Sequence, residues 1–239
     1  MIVVKKNKFG LLSSQKWFPQ SIRSFDCLKI TMYKQVDINI KAPGFFIKEL
    51  SYTLHNDLTI NEDEILKHFS STIKNEIRRA DREGNTFIYN ENKNNFLMIF
   101  NAFALQKGIA SQSVDSLNVY GNNLILTSTS ISNIITAVHS YIVDFDLKKV
   151  RLLHSATQRF SENLDKSMIA RSNKYLHFMD MKKFKNDGFE IYDWGGISFG
   201  AEDISLKGIN NFKEQFGGVL IKQYNLYSPL YYLIIKLFK

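Results

Sequence analysis

The amino-acid sequence predicts one mixed α/β domain, and three observations predict it. Segments that alternate with a period of two and segments with a helical period interleave along the chain, the pattern of a sheet covered by helices. The 239 residues are 44% hydrophobic and 13% aromatic, enough apolar material for a sizeable core and too aromatic for a disordered chain. No sustained repeat or low-complexity linker divides the chain. Only three prolines, Pro19, Pro43 and Pro229, force a break. The alternative organisation places a break near 115–122, leaving an N-terminal subdomain over 1–115 and a core over 116–239.

Residues 1–26 carry no clear period, and Trp17-Phe18-Pro19 reads as a loop or packed edge. Val36, Ile38 and Ile40 alternate with polar residues, so 28–40 is expected as a strand that ends at Lys41-Ala-Pro-Gly44. Ile65, Phe69, Ile73 and Ile77 recur every four residues and predict one helix over 61–83. Asn61 is its expected cap, with the acids 62–64 at its positive start and Gly84 as its stop. A strand over 85–90 and a helix over 92–107 follow, the helix with Phe96, Ile99, Phe100 and Phe103 inward. Strands are expected at 124–128 and 151–157, with a strand, or a strand and a short helix, at 131–143. A long helix over 165–186 is capped by Asp165 and ended by Gly188. A strand over 189–193 is expected to stop at Gly195-Gly196. A helix over 206–216 ends at Gly217-Gly218, and strand 219–226 leads through Ser228-Pro229 into a short terminal helix.

Cys27 is the only cysteine, which excludes an internal disulfide and a cysteine zinc site and makes a reducing compartment the default. Neither a secretory leader nor a run of the ~20 apolar residues needed for a spanning helix is read, so a cytoplasmic location is expected. Thirty-one Lys and Arg stand against 23 acids, and the net +8 favours an anionic partner. No His, Asp or Glu spacing reads as a metal site, and neither a phosphate-binding Walker loop nor a Gly-x-Ser-x-Gly elbow occurs.

The segment 171–218 is the richest in chemistry. Asp193 lies at the end of a buried strand beside two glycines, where α/β folds place ligand-contacting groups. Its bland reading is a turn cap. Lys213 lies between Phe212 and Phe216, so its ammonium projects beside a packed face toward an anion or carbonyl. His154 is a candidate general base on strand 151–157, against the commoner reading of a hydrogen-bonded structural histidine. His177 reads as structural. Lys74, Arg78, Arg79 and Arg82 either stabilise a helix C-terminus or form an anion-facing patch.

The run Ser172-Asn-Lys-Tyr-Leu-His177, then Phe184-Lys-x-x-Gly188, Tyr192-Asp-Trp-Gly-Gly196 and Gly208-Ile-x-x-Phe-Lys-x-x-Phe-Gly-Gly218 resembles the Fem-type branch of the GNAT acyltransferase superfamily. Ile77-Arg-Arg-Ala-Asp-Arg-Glu-Gly84 is similar to a helix-ending pattern of that branch. The good match covers about 151–226, with a weaker one over 62–84. The resemblance implies a GNAT-like mixed, mostly antiparallel sheet flanked by helices, with a central parallel strand pair that splays apart. By order that pair would be 151–157 and 189–193, with the acyl donor between them.

The same resemblance implies donor phosphates at the start of helix 165–186, near Gln158, Arg159, Ser161, Asn163 and Lys166. Ser161 and Asn163 stand where the usual loop has glycines, with Arg159 and Lys166 as charge compensation. Asp193 and His154 are the expected catalytic pair, and Tyr192, Trp194, Phe212, Lys213 and Arg78 the expected substrate contacts. The implied activity is transfer of an acyl group from acyl-CoA to the amine of an amino sugar in surface-glycan biosynthesis, the acceptor nucleotide- or lipid-linked. Aminoacyl-tRNA as donor is the alternative, and a non-catalytic module of the same fold is a third reading. A peripheral contact of residues 227–239 with the inner membrane face is the sharper reading of the apolar C-terminal stretch.

Overall fold

The structure is a computed structural model that describes residues 1–8, 10–161 and 164–237, with the side chain of Lys8 left aside. Asn163 therefore lies outside the described residues. Ten strands and seven α-helices are found among them. The strands are β1 (Ile2–Lys8), β2 (Leu11–Trp17), β3 (Thr31–Asp37), β4 (Ile47–Asp57), β5 (Thr86–Tyr89), β6 (Leu124–Ile131), β7 (Ile134–Asp144), β8 (Lys149–Thr157), β9 (Ile191–Ile197) and β10 (Val219–Tyr227). The helices are α1 (Glu62–His68), α2 (Ser71–Arg82), α3 (Lys93–Lys107), α4 (Val114–Asn118), α5 (Lys166–Asn186), α6 (Ile204–Glu214) and α7 (Pro229–Leu237).

The chain forms two compact units, one of residues 1–54, 196–207 and 220–239, the other of 55–195 and 208–219. The expected break at 115–122 lies inside the second of these. In the first unit β2 pairs antiparallel with β1 and parallel with β3, and β3 pairs antiparallel with β10. Its core holds Tyr33, Val36, Phe46 and Leu226. Beneath it the buried Asp26 carboxylate binds the Lys16 ammonium and accepts from the Tyr33 hydroxyl. Burial and that carboxylate push the Tyr33 hydroxyl up to about 12.

In the second unit β5, β6, β7 and β8 form an antiparallel series, and β8 pairs parallel with β9. Helix α3 packs on β7 and β8, and α5 packs on β6, β7 and α2. Because α3 and α5 both pack on β7, the run 136–144 is buried without alternation, which is why its sequence lacks a period of two. One aromatic and aliphatic cluster lies under α3, formed by Phe96, Ile99, Phe100, Leu126, Val138 and Ala156.

The helix expected over 61–83 is two helices. Asn61 caps α1 with a capping box. The chain then turns at Phe69, and the Ser70 hydroxyl accepts from the Ile73 N–H to start α2. Ile65, Phe69, Ile73 and Ile77 are all buried across that turn, so the four-residue spacing survives a break in the helix. The unread N-terminal 26 residues hold β1 and β2, and β4 was not read either. The strand expected over 28–40 ends earlier, at Asp37, so Ile38 and Ile40 lie outside it.

Strand β9 does not stop at Gly195-Gly196 but runs through both to Ile197. Gly195 sits at φ +77°, and a Cβ there would lie 3.1 Å from the Leu152 carbonyl oxygen. Gly217, at φ +72°, leaves no room either, since a Cβ would meet the His68 carbonyl oxygen and Cβ at 2.9 Å. Gly217 thus lets the end of α1 approach the chain after α6, and Gly218, at φ +101°, lets β4 approach at His55 and Asn56. Gly217→Ala is expected to lower stability by more than about 1 kcal/mol, read by urea denaturation. A variant as stable as the parent would refute this close packing.

Candidate functional site

The site grows from one ladder. β8 and β9 are in register at Lys149↔Ile191, Val150↔Tyr192 and Arg151↔Asp193. Beyond that pair, β8 continues to Thr157 and β9 to Ile197. Lys149 and Arg151, two residues apart, share one face of β8, the face onto which Asp193 projects from β9.

Asp193 is completely buried. Its Oδ2 lies 2.9 Å from the Lys149 Nζ and 3.1 Å from the His55 Nε2, and its Oδ1 accepts from Arg151 Nη1 at 3.0 Å and from the Gly195 N–H at 2.9 Å. Lys149 also lies 3.1 Å from His55. Burial opposes ionisation of Asp193. The adjacent Lys149 and Arg151 charges and the His55 hydrogen bond outweigh it and hold the carboxyl well below the usual carboxylate range. A carboxylate held so far below its usual range is a weak proton acceptor. Its oxygens are engaged by cations and a backbone amide, and it acts as a fixed anion.

Lys213, on α6, is half-buried near this centre. Burial and the Arg151 charge push its ammonium down to about 8, while the Asp193 charge pulls the other way. Lys149, Arg151 and Lys213 together outnumber the single carboxylate. The centre carries excess positive charge at low dielectric, which suits an anionic group or a developing oxyanion.

The other expected site residues separate. Tyr192 and Trp194 are buried and not exposed to a substrate. The Tyr192 hydroxyl pairs with Tyr141 and His177, and the Trp194 indole donates to Asn56 Oδ1 at 2.6 Å. Phe212 packs against His177, Trp194 and Phe216. Lys213 follows Phe212 directly in α6, beside this ring cluster. His154, expected beside Asp193, instead packs on the Phe100 ring and holds the Ser140 hydroxyl at 2.8 Å, on the side of β8 that α3 covers. Arg78 is on the exposed face of α2.

The expected phosphate cradle also differs. The Ser161 N–H donates to the Gln158 carbonyl, and the Gln158 side chain donates to Ile135. Asp165 caps α5 by accepting from the Met168 N–H at 2.7 Å and from Ser167. A carboxylate thus caps the positive helix end, and residues 162–163 of the preceding loop lie outside the described residues. Arg159 and Lys166 are exposed there, Arg159 stacked over Phe160. Met98, Phe103, Thr157, Gln158 and Phe160 instead line an apolar hollow of about 330 Å³ between α3 and the end of β8.

A second buried network went unread in the sequence. His139 Nδ1 lies 2.7 Å from Asp180, which accepts from the Tyr141 hydroxyl, and His139 Nε2 lies 3.0 Å from Asn173 Oδ1. His177, read as structural, stacks on His139 with ring centroids 4.1 Å apart. Burial, and then the neighbouring His139 and Lys213, keep it neutral. Burial raises Asp180, against hydrogen bonds from His139 and Tyr141. His139, His177 and Asp180 bring one ligand atom each to within 4.8 Å of one another. Of the three, His139 would have to give up a hydrogen bond to ligate an ion, since both its ring nitrogens are engaged.

No protein-family model and no curated protein sequence matches the chain. Solved structures do. FemX is similar over 98% of this chain and 85% of its own, with 12% identity and a TM-score of 0.70. L-PGS from Bacillus licheniformis is similar over 98% and 85%, with 13% identity and a TM-score of 0.64. A C-terminal domain from Agrobacterium fabrum, described as that of a lysylphosphatidylglycerol synthetase, is similar over 88% and 71%, with 15% identity and a TM-score of 0.63. At such identities the likeness shows the fold alone, a mixed α/β fold with a mostly antiparallel sheet that the chain shares with these structures.

Asp193→Asn is expected to cost about 3–5 kcal/mol, because it leaves Lys149 and Arg151 facing a group without charge. The same carboxylate stabilises the fold above its unfolded-state value and ceases to do so as pH falls through its lowered folded value. The loss on substitution should therefore be full at neutral pH and shrink in strong acid. An equal denaturation midpoint for the two proteins at pH 7 would contradict the charge balance described.

Proposed function

We propose that the chain is an acyltransferase that moves an activated acyl group onto an amine. The observation that carries this reading is the cationic centre where the β8–β9 ladder ends, with Lys213 half-exposed beside Arg151 and Asp193. In a GNAT-like fold the donor carbonyl enters where the parallel pair parts, as the family resemblance implies. Attack by the amine places negative charge on the carbonyl oxygen. The Lys213 ammonium is the group we assign to that charge or to an acceptor phosphate, with Arg151 beside it and Asp193 fixing Arg151. Trp194, Phe212 and Phe216 keep water from the same side and strengthen the interaction. Asp193 is thus a positioning residue. The proton of the amine is not assigned to His154, which is held against α3.

The acceptor proposed is an amino sugar bound for a surface glycan, and acyl-CoA is the donor the resemblance implies. The second reading, with aminoacyl-tRNA as donor, is favoured by one specific observation. Among the described residues at the start of α5, Asp165 caps the helix and the Ser161 amide is engaged by Gln158, so neither offers a free donor to a coenzyme pyrophosphate. The net charge of +8 agrees with an RNA partner. Two assays separate the donors: release of free thiol from acyl-CoA with nucleotide-linked amino sugars, and transfer of a labelled amino acid from charged tRNA. Consumption of neither donor would favour the non-catalytic module.

With the active donor, Lys213→Ala should lower kcat/KM about 100-fold. An ammonium that must be charged, with a value of about 8, gives activity that falls as pH rises through about 8. Lys213→Arg should move that fall to higher pH, because a guanidinium stays charged. A rate that rises through the same range would remove the assigned role and point to Lys213 as a base.

A further inference from the structure

We propose that the outer face of α7, together with the turn at Ser24–Leu28, docks the protein on an anionic lipid surface. The inference is independent of the acyltransferase reading and rests on two elements of the first unit that pack against each other. In α7, Tyr231, Tyr232, Ile234 and Ile235 are half-buried. Leu230, Leu233 and Leu237, at spacings of three and four, are 46%, 56% and 69% exposed and so line one outward face. In the neighbouring turn Phe25 is 80% and Leu28 72% exposed. Single exposed apolar side chains are ordinary. Five on two touching elements mark an interaction surface.

Charge selects the occupant. Arg23, Lys29 and Lys236 are exposed beside these apolar groups. The one acid on either element, Asp26, is buried and engaged by Lys16, Lys29 and Tyr33. The exposed charge of the turn and helix is therefore only positive. A second copy meeting this face about a two-fold axis would bring like charges together. An anionic bilayer surface takes both components, the leucines and Phe25 into the headgroup boundary and the cations against lipid phosphate. No helix among the described residues is long and apolar enough to cross a membrane, so the contact is with the surface.

The test is sedimentation of the full chain with vesicles of phosphatidylcholine alone and of phosphatidylcholine mixed with phosphatidylglycerol. Binding is expected to the mixed vesicles and to weaken with added salt. Lys236→Glu should reduce it about fivefold or more. Leu233→Glu with Leu237→Glu, and separately Phe25→Glu with Leu28→Glu, should each reduce it about tenfold or more, with an unchanged circular dichroism spectrum. Equal binding to both vesicle types, binding indifferent to both double variants, or no binding would overturn the proposal. So would a dimer in sedimentation equilibrium that the double variants abolish while the parent leaves vesicles untouched, since the face would then be covered by a second copy.

Discussion

The buried carboxylate of Asp193 is the constraint on which the second unit depends. An ion without accessible surface costs several kcal/mol to desolvate, and only well-placed partners offset that cost. Here Lys149 and Arg151 come from β8, His55 from the end of β4, and the Gly195 N–H from β9 itself. One carboxylate thus ties the parallel pair together at the last position of its register, Arg151↔Asp193. A slip of one residue would turn Asp193 to the other face of β9 and leave two cations uncompensated.

The aromatic layer beside that centre gives its chemistry. His177, Trp194, Phe212 and Phe216 pack ring against ring, and His177 is kept neutral by burial. Burial, and then the Arg151 charge, lower the Lys213 value against the pull of the Asp193 carboxylate. The motif residues Tyr192, Trp194, Phe212 and Phe216 pack on one another in this layer. The buried His139–Asp180–Tyr141 set holds the other end of the layer, joined to it through Tyr192 and His177.

Much of the fold was legible in the chain. Helices α3 and α5 and strands β5, β8 and β10 lie close to where periodicity and capping residues put them, because each buries one regular face or carries a local cap. The N-terminal strands were not legible. β1 and β2 carry lysines and polar residues among their apolar ones, and β2 is buried toward one end only, so no alternation appears. The site was legible in part. Asp193 and Lys213 stood out beside paired glycines and flanking phenylalanines. Lys149 and Arg151 carry no comparable signal by themselves, although two cations at alternate positions flanking the apolar Val150 and Leu152 suit a buried counter-charge. His55 is 138 residues from Asp193 and gave no signal.

The sequence by itself determined the interleaved α/β class, most of the second unit's helices and the two motif segments, because these rest on local periods, caps and glycines that act within a few residues. Only the tertiary structure decided what the singled-out residues touch. It paired Asp193 with Lys149, Arg151 and His55, set His154 against α3, and placed the Asp165 cap at the start of α5. Titration and accessibility depend on which charges and rings arrive from distant strands, and no spacing along one chain carries that information.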